Sequence, residues 1–406
     1  MMTRSPVYIV RRNFREAPDG FTHRSIDEII DALTTAFNTL GLYPGMFSGK
    51  RIVIKPNLVR PGKEYGPGVT TDPRIVAAVC ALCRSGGADT VLVGDDPGWG
   101  LSSRSAYEAW GCEEIITGYG GTLVPFDDPE RVTLSNPNNV LMREISIPGI
   151  FRDADLFINI PKMKTHILTG VSLGIKNLHG LLRDDDRMIF HRDDIEMKLV
   201  DILSTRPPDL TVVDGIQALE GQAPLYGEIV HTMNTILVGM NPVCVDAVAA
   251  TVMGFDPQSI THLREARRRG LGSISVDEIE ILGQSISDVK HAFKPAVLSS
   301  VAVYQGITVI EGGADSGIRS SLRHAVDRLR KEGLLEDVLP STVLVGSFFA
   351  DAIPAIDTEH VWLMGDQAAL IESAISQQHR IRIVPGDPPH IFDFYHAYAS
   401  WIAEVE

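Results

Sequence analysis

Short runs of apolar, β-branched residues alternate along this chain with segments of helical periodicity. RIVIKPN, DTVLVGDD, DLFINIPK, LTVVDGI and NTILVGM have the character of buried strands that end in polar or glycine-rich turns. Segments between them, such as PRIVAAVCALCRSGG and DAVAATVMGF, have the apolar spacing of helices. Strands of this kind are typical of parallel sheets that are covered on both faces. The pattern therefore predicts an α/β fold with a mostly parallel sheet.

The alternation weakens near residue 287 and then resumes. ITVIEGG, STVLVGSFF, HVWLMGDQ and RIRIVPGD are again strand–turn units with helical segments between them. A chain of 406 residues is also long enough for two hydrophobic cores. We therefore expect a larger N-terminal α/β domain over residues 1–290 and a smaller C-terminal α/β domain over residues 291–406.

Composition narrows the classes of partner. The hydrophobic fraction of 44% is ordinary for a globular protein. The formal net charge of −15 argues against nucleic acid as the main partner, because nucleic acids bind to basic surfaces. The sequence contains no run of about 18 apolar residues that could span a bilayer, and MMTRSPVYIVRRNF lacks the apolar core of a signal peptide. We expect neither nucleic acid nor membrane as a partner and a cytoplasmic location, and homo-oligomerisation stays open.

Residues 159–194 concentrate basic and titratable side chains within this acidic chain. The segment reads NIPKMKTHILTGVSLGIKNLHGLLRDDDRMIFHRDD. Lys162 and Lys164 alternate after a predicted strand, so their side chains point the same way, and His166 shares that parity. The charges interleave with apolar residues and glycines instead of forming the block that is typical of a solvated surface. This pattern predicts a cationic pocket for a carboxylate or a similar anion.

Candidate site residues follow from the predicted strand ends, because ligands of parallel α/β sheets bind beyond the carboxyl ends of the strands. Lysines desolvated beside other cations can act as general bases or Schiff-base nucleophiles, and histidines transfer protons near neutral pH. We predict catalytic roles for Lys162, Lys164, His166 and Lys176. We predict substrate-binding roles for Lys55, Asn57, Asp95, Ser172, Asn177, His179, Arg183, His191 and Asp214. No metal ligand is predicted.

An ordered set of motifs resembles the domain-of-unknown-function family 362 over roughly residues 50–283. The motifs are IKPNLV, TTDPRIV, VGDDPG, NIPKMKTH, GIKNLHG, VVDGI, NPVCVDAVAA and LREARRRGLG. Many members of that family carry a ferredoxin-like segment with cysteine clusters, whereas this sequence has four cysteines and no such cluster. The resemblance therefore does not extend to electron transfer by this polypeptide.

A more distant resemblance concerns chemistry. His166-x3-Gly170-x-Ser172-x-Gly174-x-Lys176 is similar to the H-x3-G-x-S-x-G-x-K run of the nickel-pincer lactate racemase family. In that family the lysine holds the cofactor, histidines are nickel ligand and acid/base groups, and the site lies between two α/β domains. The resemblance implies a lactate-racemase-like two-domain architecture with His166 and Lys176 in the cleft. Because KPNL and GDDPG replace two other motifs of that family, the nickel-pincer cofactor itself is not expected.

These observations favour an enzyme with cofactor-independent acid/base chemistry, of the isomerase, epimerase or lyase type. Its predicted substrate is a small anion, a carboxylate, bound in a Lys/His-lined interdomain cleft. One alternative is a metal- or redox-dependent oxidoreductase that uses a divalent metal and an external electron partner. A second alternative is a non-catalytic anion-binding protein.

Overall fold

The chain divides into two compact units. A computed structural model describes residues 5–14, 23–62, 65–97, 100–127, 130–296, 306–335, 339–349, 353–390 and 392–405. The first unit comprises Met1–Ile189 and Ile195–Pro295, and the second comprises Phe190–Asp194 and Ala296–Glu406. This division falls at residues 295/296, against the predicted boundary at 290/291. Residues 190–194 interrupt the first unit along the chain and belong to the second unit. The sequence pattern did not predict this.

The first unit alternates strands and helices. Its strands are β1 (Pro6–Arg11), β2 (Arg51–Pro56), β3 (Thr90–Val93), β4 (Thr122–Leu123), β5 (Arg131–Ser135), β6 (Glu144–Pro148), β7 (Leu156–Ile160), β8 (Lys162–His166), β9 (Gly170–Ser172), β10 (Leu210–Glu220), β11 (Glu228–Val230), β12 (Thr235–Gly239) and β13 (Glu280–Gly283). Its helices are α1 (His23–Thr39), α2 (Pro73–Ser85), α3 (Ser103–Trp110), α4 (Glu113–Gly118), α5 (Gly174–Asn177), α6 (Asp184–Met188), α7 (Ile195–Thr205), α8 (Pro242–Val252), α9 (Thr261–Arg268) and α10 (Ile286–Val289). Short 3₁₀ turns at Gly149–Phe151, Leu178–Leu181, Pro257–Ser259 and Val276–Glu278 complete it.

Local sequence explains where the main helices begin. Asp72 precedes α2 and accepts a hydrogen bond from the Arg74 N–H at 2.9 Å, with Pro73 in the first helical position. Asn241 has the same role before α8, where its side chain accepts from the Cys244 N–H at 3.0 Å. Side-chain caps satisfy backbone donors that have no partner inside the helix, so both starts are fixed by residues visible in the sequence.

The first unit is built on a largely parallel sheet with the strand order β13-β1-β12-β10-β7-β2-β3-β4. Strands β4, β3, β2, β7 and β10 run parallel, whereas β12 is antiparallel to both β1 and β10. β8 and β11 pair with β10, β9 pairs with β8, and β5 and β6 form a separate antiparallel ribbon. The predicted α/β fold class with a mostly parallel sheet is confirmed.

Two hydrophobic clusters cover the two faces of this sheet. Val53 and Phe157 belong to the cluster that includes residues of α5, α7 and α8, whereas Ile52 and Ile158 belong to the cluster beneath α1 and α2. Successive strand residues point to opposite faces. Lys55 has the parity of Val53, so its side chain emerges on the face that α5, α7 and α8 cover.

The second unit is a smaller α/β body. Its strands are β14 (Ile307–Gly312), β15 (Ser341–Gly346), β16 (His360–Met364) and β17 (Arg380–Val384), and its helices are α11 (Ser316–Lys331), α12 (Asp366–Ala369), α13 (Glu372–Ile375) and α14 (Asp393–Val405). The four strands are parallel and paired in sequence order. Arg192 of the 190–194 segment pairs with Asp315 at 3.2 Å and Asp387 at 2.7 Å within this unit. Across the described residues of both units, every helix is too short or too polar to cross a membrane.

Candidate functional site

Polar side chains gather at one edge of the first sheet. Since β2, β3, β7 and β10 run parallel, their carboxyl ends meet there. Lys55 lies near the end of β2, Asp95 follows β3, and Lys162 opens β8 directly after β7. Asp214 of β10 is the register partner of Lys162. The strands thus bring together residues that are separated by up to 159 positions in the sequence.

Two buried lysines at this edge are neutralised by carboxylates. Lys55 Nζ lies 2.6 Å from Asp95 Oδ1, and Lys162 Nζ lies 2.8 Å from Asp214 Oδ2; all four side chains are at most 2% exposed. Burial lowers the pKa of Lys55 and raises that of Asp214, and in each case the charge of the partner opposes the shift. Asp214 Oδ2 also accepts from the Asp72 N–H at 2.7 Å. Each pair is a compensated buried charge.

A third buried cation, Arg187 of α6, was not among the predicted site residues. Its Nη2 lies 2.9 Å from Asp96 Oδ1 and its Nη1 lies 2.9 Å from Asp184 Oδ1. Its Nε donates to the His179 carbonyl at 3.3 Å. Asp184 stands three residues before Arg187, and this spacing brings the two side chains together on a helix. The spacing is the feature of the sequence from which this ion pair could have been predicted.

Lys164 has a different environment from Lys162, although the two lie on one strand with the same parity. Its Nζ donates to Asn57 Oδ1 and to the Val69 carbonyl, both at 2.8 Å. Both acceptors are neutral, and among the described residues Lys164 has no ion pair. Burial lowers its pKa well below the usual range, and the charges of Lys176 and Lys162 lower it further.

Three asparagines hold these groups in register. Asn57 Nδ2 donates to Asn177 Oδ1 at 3.0 Å, and Asn177 Nδ2 donates to Asn159 Oδ1 at 2.8 Å. Asn159 Nδ2 donates in turn to the Gly174 carbonyl at 2.9 Å. Since each amide both donates and accepts, the orientation of Asn57 that presents an oxygen to Lys164 is fixed by its neighbours.

Lys176 of α5 is the second cation without a counter-charge. Its side chain is half-buried, and among the described residues it has neither an ion pair nor a hydrogen bond. Burial, together with the charges of Arg187 and Lys55, lowers its pKa to about 7. A substantial fraction of this side chain is therefore a neutral amine near neutral pH.

The short helix that carries Lys176 is anchored by a buried carboxylate. Asp246 of α8 accepts hydrogen bonds from the Gly174 and Ile175 N–H groups, both at 2.8 Å. A Cβ at position 174 would lie 2.8 Å from Asp246 Oδ1, so this approach requires glycine. Burial raises the pKa of Asp246 to about 7. Asp246 therefore fixes the position of α5 through the backbone of its first turn. It was not among the site residues predicted from the sequence.

Gly180 lies directly above the Lys55–Asp95 pair. A Cβ at this position would come within 2.5 Å of Asp95 Oδ1 and 2.7 Å of Lys55 Nζ. Gly180 follows Lys176 by four residues, and residues at this spacing lie on one side of a helical turn. The absence of a side chain at position 180 therefore allows the turn after Lys176 to pack closely against the Lys55–Asp95 pair.

Lys198 of α7 is a further buried cation that the sequence interpretation missed. Its Nζ donates to the carbonyls of Asp186 and Arg187 at 2.7 Å and to that of Ile189 at 2.5 Å. Burial, with the charges of Lys176 and Arg187, lowers its pKa to about 7. Lys198 lies in an ordinary helical pattern, and its partners are backbone carbonyls, so no local sequence signal marked it.

The remaining predicted residues are distributed unevenly. His166 is buried on β8, where its Nδ1 accepts from the Leu168 N–H at 3.1 Å. Ser172 is buried on β9 opposite Lys164, and His179 is buried in the turn after α5. Arg183 is 55% exposed and pairs with Asp186 at 3.5 Å, so the structure does not bring it into the buried cluster. His191 belongs to the second unit.

The predicted catalytic residues all lie within the first unit, and a position between the two domains stays a prediction. Among the described residues, no group of three or more His, Cys, Asp or Glu side chains has an arrangement that could hold a metal ion. Lys176 and His166, the two residues that match the lactate racemase motif, lie on α5 and β8, and their roles stay predictions. The cofactor-independent chemistry and its divalent-metal alternative both remain predictions.

Two solved structures align with this chain at low similarity. The lactate racemase apoprotein from Thermoanaerobacterium thermosaccharolyticum is 12% identical and aligns over 99% of this chain and 90% of that chain, with a TM-score of 0.39. A crystal structure of a Thermotoga maritima protein, also 12% identical, aligns over 50% of this chain and 51% of that chain, with a TM-score of 0.28. The structural similarity to lactate racemase is distant, and nothing about activity follows from it.

Sequence comparisons are more informative about family. The thylakoid-associated protein sll1697 of Synechocystis is 28% identical over 296 residues, which cover 70% of this chain and 86% of that protein. Residues 52–251 match the family described as Domain of unknown function (DUF362). The resemblance that the ordered motifs indicate is confirmed over residues 52–251.

Proposed function

We propose that the protein is an enzyme that binds a small carboxylate at the edge of the first sheet and catalyses proton transfer on it. The buried cluster that would carry this function consists of Lys55, Lys162, Lys164, Lys176 and Arg187. The proposed reaction class is an isomerisation, epimerisation or elimination, in which a proton leaves a carbon atom next to the carboxylate.

The observation that supports this proposal is an imbalance of charge inside the cluster. Lys55 and Lys162 each have a carboxylate partner at 2.6–2.8 Å, whereas Lys164 and Lys176 have no such partner among the described residues. An uncompensated buried charge is costly, so the folded protein either loses the proton or gains an anion. A carboxylate ligand supplies that missing charge.

The same imbalance supplies the groups that acid/base chemistry needs. Lys176, whose pKa is about 7, can take up a proton near neutral pH, which is the condition for efficient general-base catalysis. Protonated Lys164 has a third N–H besides the two that Asn57 Oδ1 and the Val69 carbonyl accept, and this donor would stabilise charge that develops on the substrate. Fixed donors of this kind stabilise an enolate as it forms.

The test is solvent hydrogen exchange on small carboxylates. The protein is incubated in D2O with lactate, malate or pyruvate, and loss of the C–H signal next to the functional group is followed by NMR while calorimetry measures binding. Replacement of the proposed base, Lys176→Met, is expected to lower the exchange rate about 100-fold. Lys290→Met removes an exposed lysine outside the cluster and is expected to leave both readouts unchanged.

The two readouts separate this proposal from its rivals. Binding that depends on Lys176 and Lys164 without any exchange would identify a non-catalytic anion-binding protein and overturn the catalytic part of the proposal. Binding that Lys176→Met and Lys164→Met leave unchanged would place the ligand elsewhere and overturn the whole assignment.

A further inference from the structure

We propose that the Lys176 amine forms a covalent imine with a 2-oxo acid bound in the cluster. This inference rests on the proposed function and deepens it, because it names both the class of substrate and the atom to which the substrate is bonded. It stands on the contacts that distinguish Lys176 from the other buried lysines.

Lys176 differs from the other lysines of the cluster in that its nitrogen is uncommitted, as far as the structure describes the chain. Lys55 and Lys162 are engaged by carboxylates at 2.6 and 2.8 Å. Lys164 and Lys198 donate to oxygen atoms at 2.5–2.8 Å. Lys176 has no such partner, and its side chain is half-buried and not sealed from solvent. Its nitrogen is therefore available to an electrophile.

The surroundings of the Lys176 nitrogen favour a nucleophilic amine. Burial and the charges of Arg187 and Lys55 favour the neutral amine of Lys176, and an unprotonated amine is the nucleophile in imine formation. Lys164, which has no carboxylate partner among the described residues and whose charge interacts with that of Lys176, provides the positive charge that a carboxylate needs. A molecule with a carboxylate beside a carbonyl group meets both conditions at once: its carboxylate pairs with Lys164 and its carbonyl carbon faces the amine.

The reaction is balanced without an oxidant or a reductant. The Lys176 nitrogen bonds to the carbonyl carbon, and the C=O bond becomes a C–OH group in a carbinolamine. The oxygen then leaves as one water molecule that carries the two protons of the amine, and a C=N bond forms.

The test traps the imine in the full-length protein. Pyruvate and sodium cyanoborohydride are added at neutral pH, and peptide mapping by mass spectrometry locates the reduced adduct. We expect the adduct on Lys176 and its loss in Lys176→Arg, which keeps the charge without a nucleophilic amine. Lys198 is the internal control in the same sample: its pKa is also lowered to about 7, but its nitrogen is held by three carbonyls.

Two further ligands define the substrate class. Acetone has the ketone of pyruvate without the carboxylate and is expected to label Lys176 far less than pyruvate does. Lactate has the carboxylate without the ketone and is expected to suppress labelling by pyruvate. An adduct on Lys198, labelling spread over surface lysines, or equal labelling by acetone and pyruvate would overturn the inference.

Failure of the imine and failure of the proposed function give different results. If Lys176 is not labelled while Lys176→Met still abolishes hydrogen exchange on a bound carboxylate, the imine is excluded and the acid/base function stands. If carboxylate binding is also independent of Lys176, both proposals fall. Thermal unfolding of Lys176→Arg shows in either case that the variant is folded.

Discussion

The two parts of the buried cationic cluster differ in how their charge is balanced. In one part, around β2, β3 and β10, Lys55 and Lys162 each contact a carboxylate. In the other part, around α5, Lys164 and Lys176 have no carboxylate partner within the described chain. Lys55, Lys162 and Lys164 are all fully buried, and Lys176 is half-buried. The difference teaches that burial alone does not define a functional site, whereas burial of charge without compensation indicates where a ligand is missing.

The compensated part is expected to behave as structure. Removal of one partner of a buried ion pair leaves the other charge unpaired, which costs about 3–5 kcal/mol. Lys162→Met is therefore expected to lower the free energy of unfolding by about that amount, because Asp214 stays buried beneath Asp72. Urea unfolding followed by circular dichroism measures the change.

A surface ion pair is the matched control for this prediction. Lys294 is 60% exposed and contacts Glu220 and Glu228, and exposed ion pairs contribute little to stability. Lys294→Met is accordingly expected to change stability little. Equal losses in the two variants would mean that Lys162 is not part of a buried, compensated pair.

A smaller effect is expected where the two parts of the cluster meet, at Gly180. In Gly180→Ala the added Cβ would come within 2.5 Å of Asp95 Oδ1 and 2.7 Å of Lys55 Nζ, so the pair must shift. Overpacking of this kind typically costs about 1–3 kcal/mol. Gly118→Ala is the control, because a Cβ there meets nothing within 4 Å. The prediction is wrong if the two variants unfold at the same urea concentration.

Much of the scaffold was accessible from the sequence. The strands are apolar runs whose ends carry polar residues, and parallel pairing is sufficient to place Lys55, Asp95 and Lys162 at one edge. The glycines that interrupt the basic segment are also visible in the sequence, and at Gly174 and Gly180 the backbone lies against buried side chains.

The distribution of charge partners was not accessible, because it depends on a local irregularity in strand pairing. Equal parity on β8 suggested equal roles for Lys162 and Lys164. The register of β10 against β8 shifts, however, so that Asp214 stands opposite Lys162 whereas Leu219 stands opposite Lys164. Three residues of β8 (162–164) thus span six residues of β10 (214–219), and only one of the two lysines receives a carboxylate. Alternation alone carries no information on such a shift.

The smallest expected change in the free energy of unfolding is that of Lys176→Met. This change distinguishes the uncompensated part most clearly, because it is a stabilisation, whereas the changes in the compensated part are losses of stability. Lys176→Met removes a charge that has no partner to lose, and it relieves repulsion from Lys55 and Arg187. We expect it to raise the free energy of unfolding by about 1 kcal/mol at pH 7 while it abolishes the proposed activity, which is the usual exchange of stability for function at active sites.

The pH dependence of stability gives an independent check of that sign. The unfolded chain keeps the Lys176 proton up to its ordinary pKa of 10.5, whereas the folded chain releases it at about 7. The unfolded state therefore binds more protons between these values, so stability rises with pH across this window. Lys176→Met is expected to make that rise shallower.

Lys198→Met is the matched control for this sign. The pKa of Lys198 is also lowered to about 7, but its removal leaves three backbone carbonyls without a donor. Lys198→Met is therefore expected to destabilise the fold at pH 7 by at least about 1 kcal/mol. If Lys176→Met also destabilises the fold at pH 7, its side chain has a structural partner and the uncompensated charge cannot be the basis of the site.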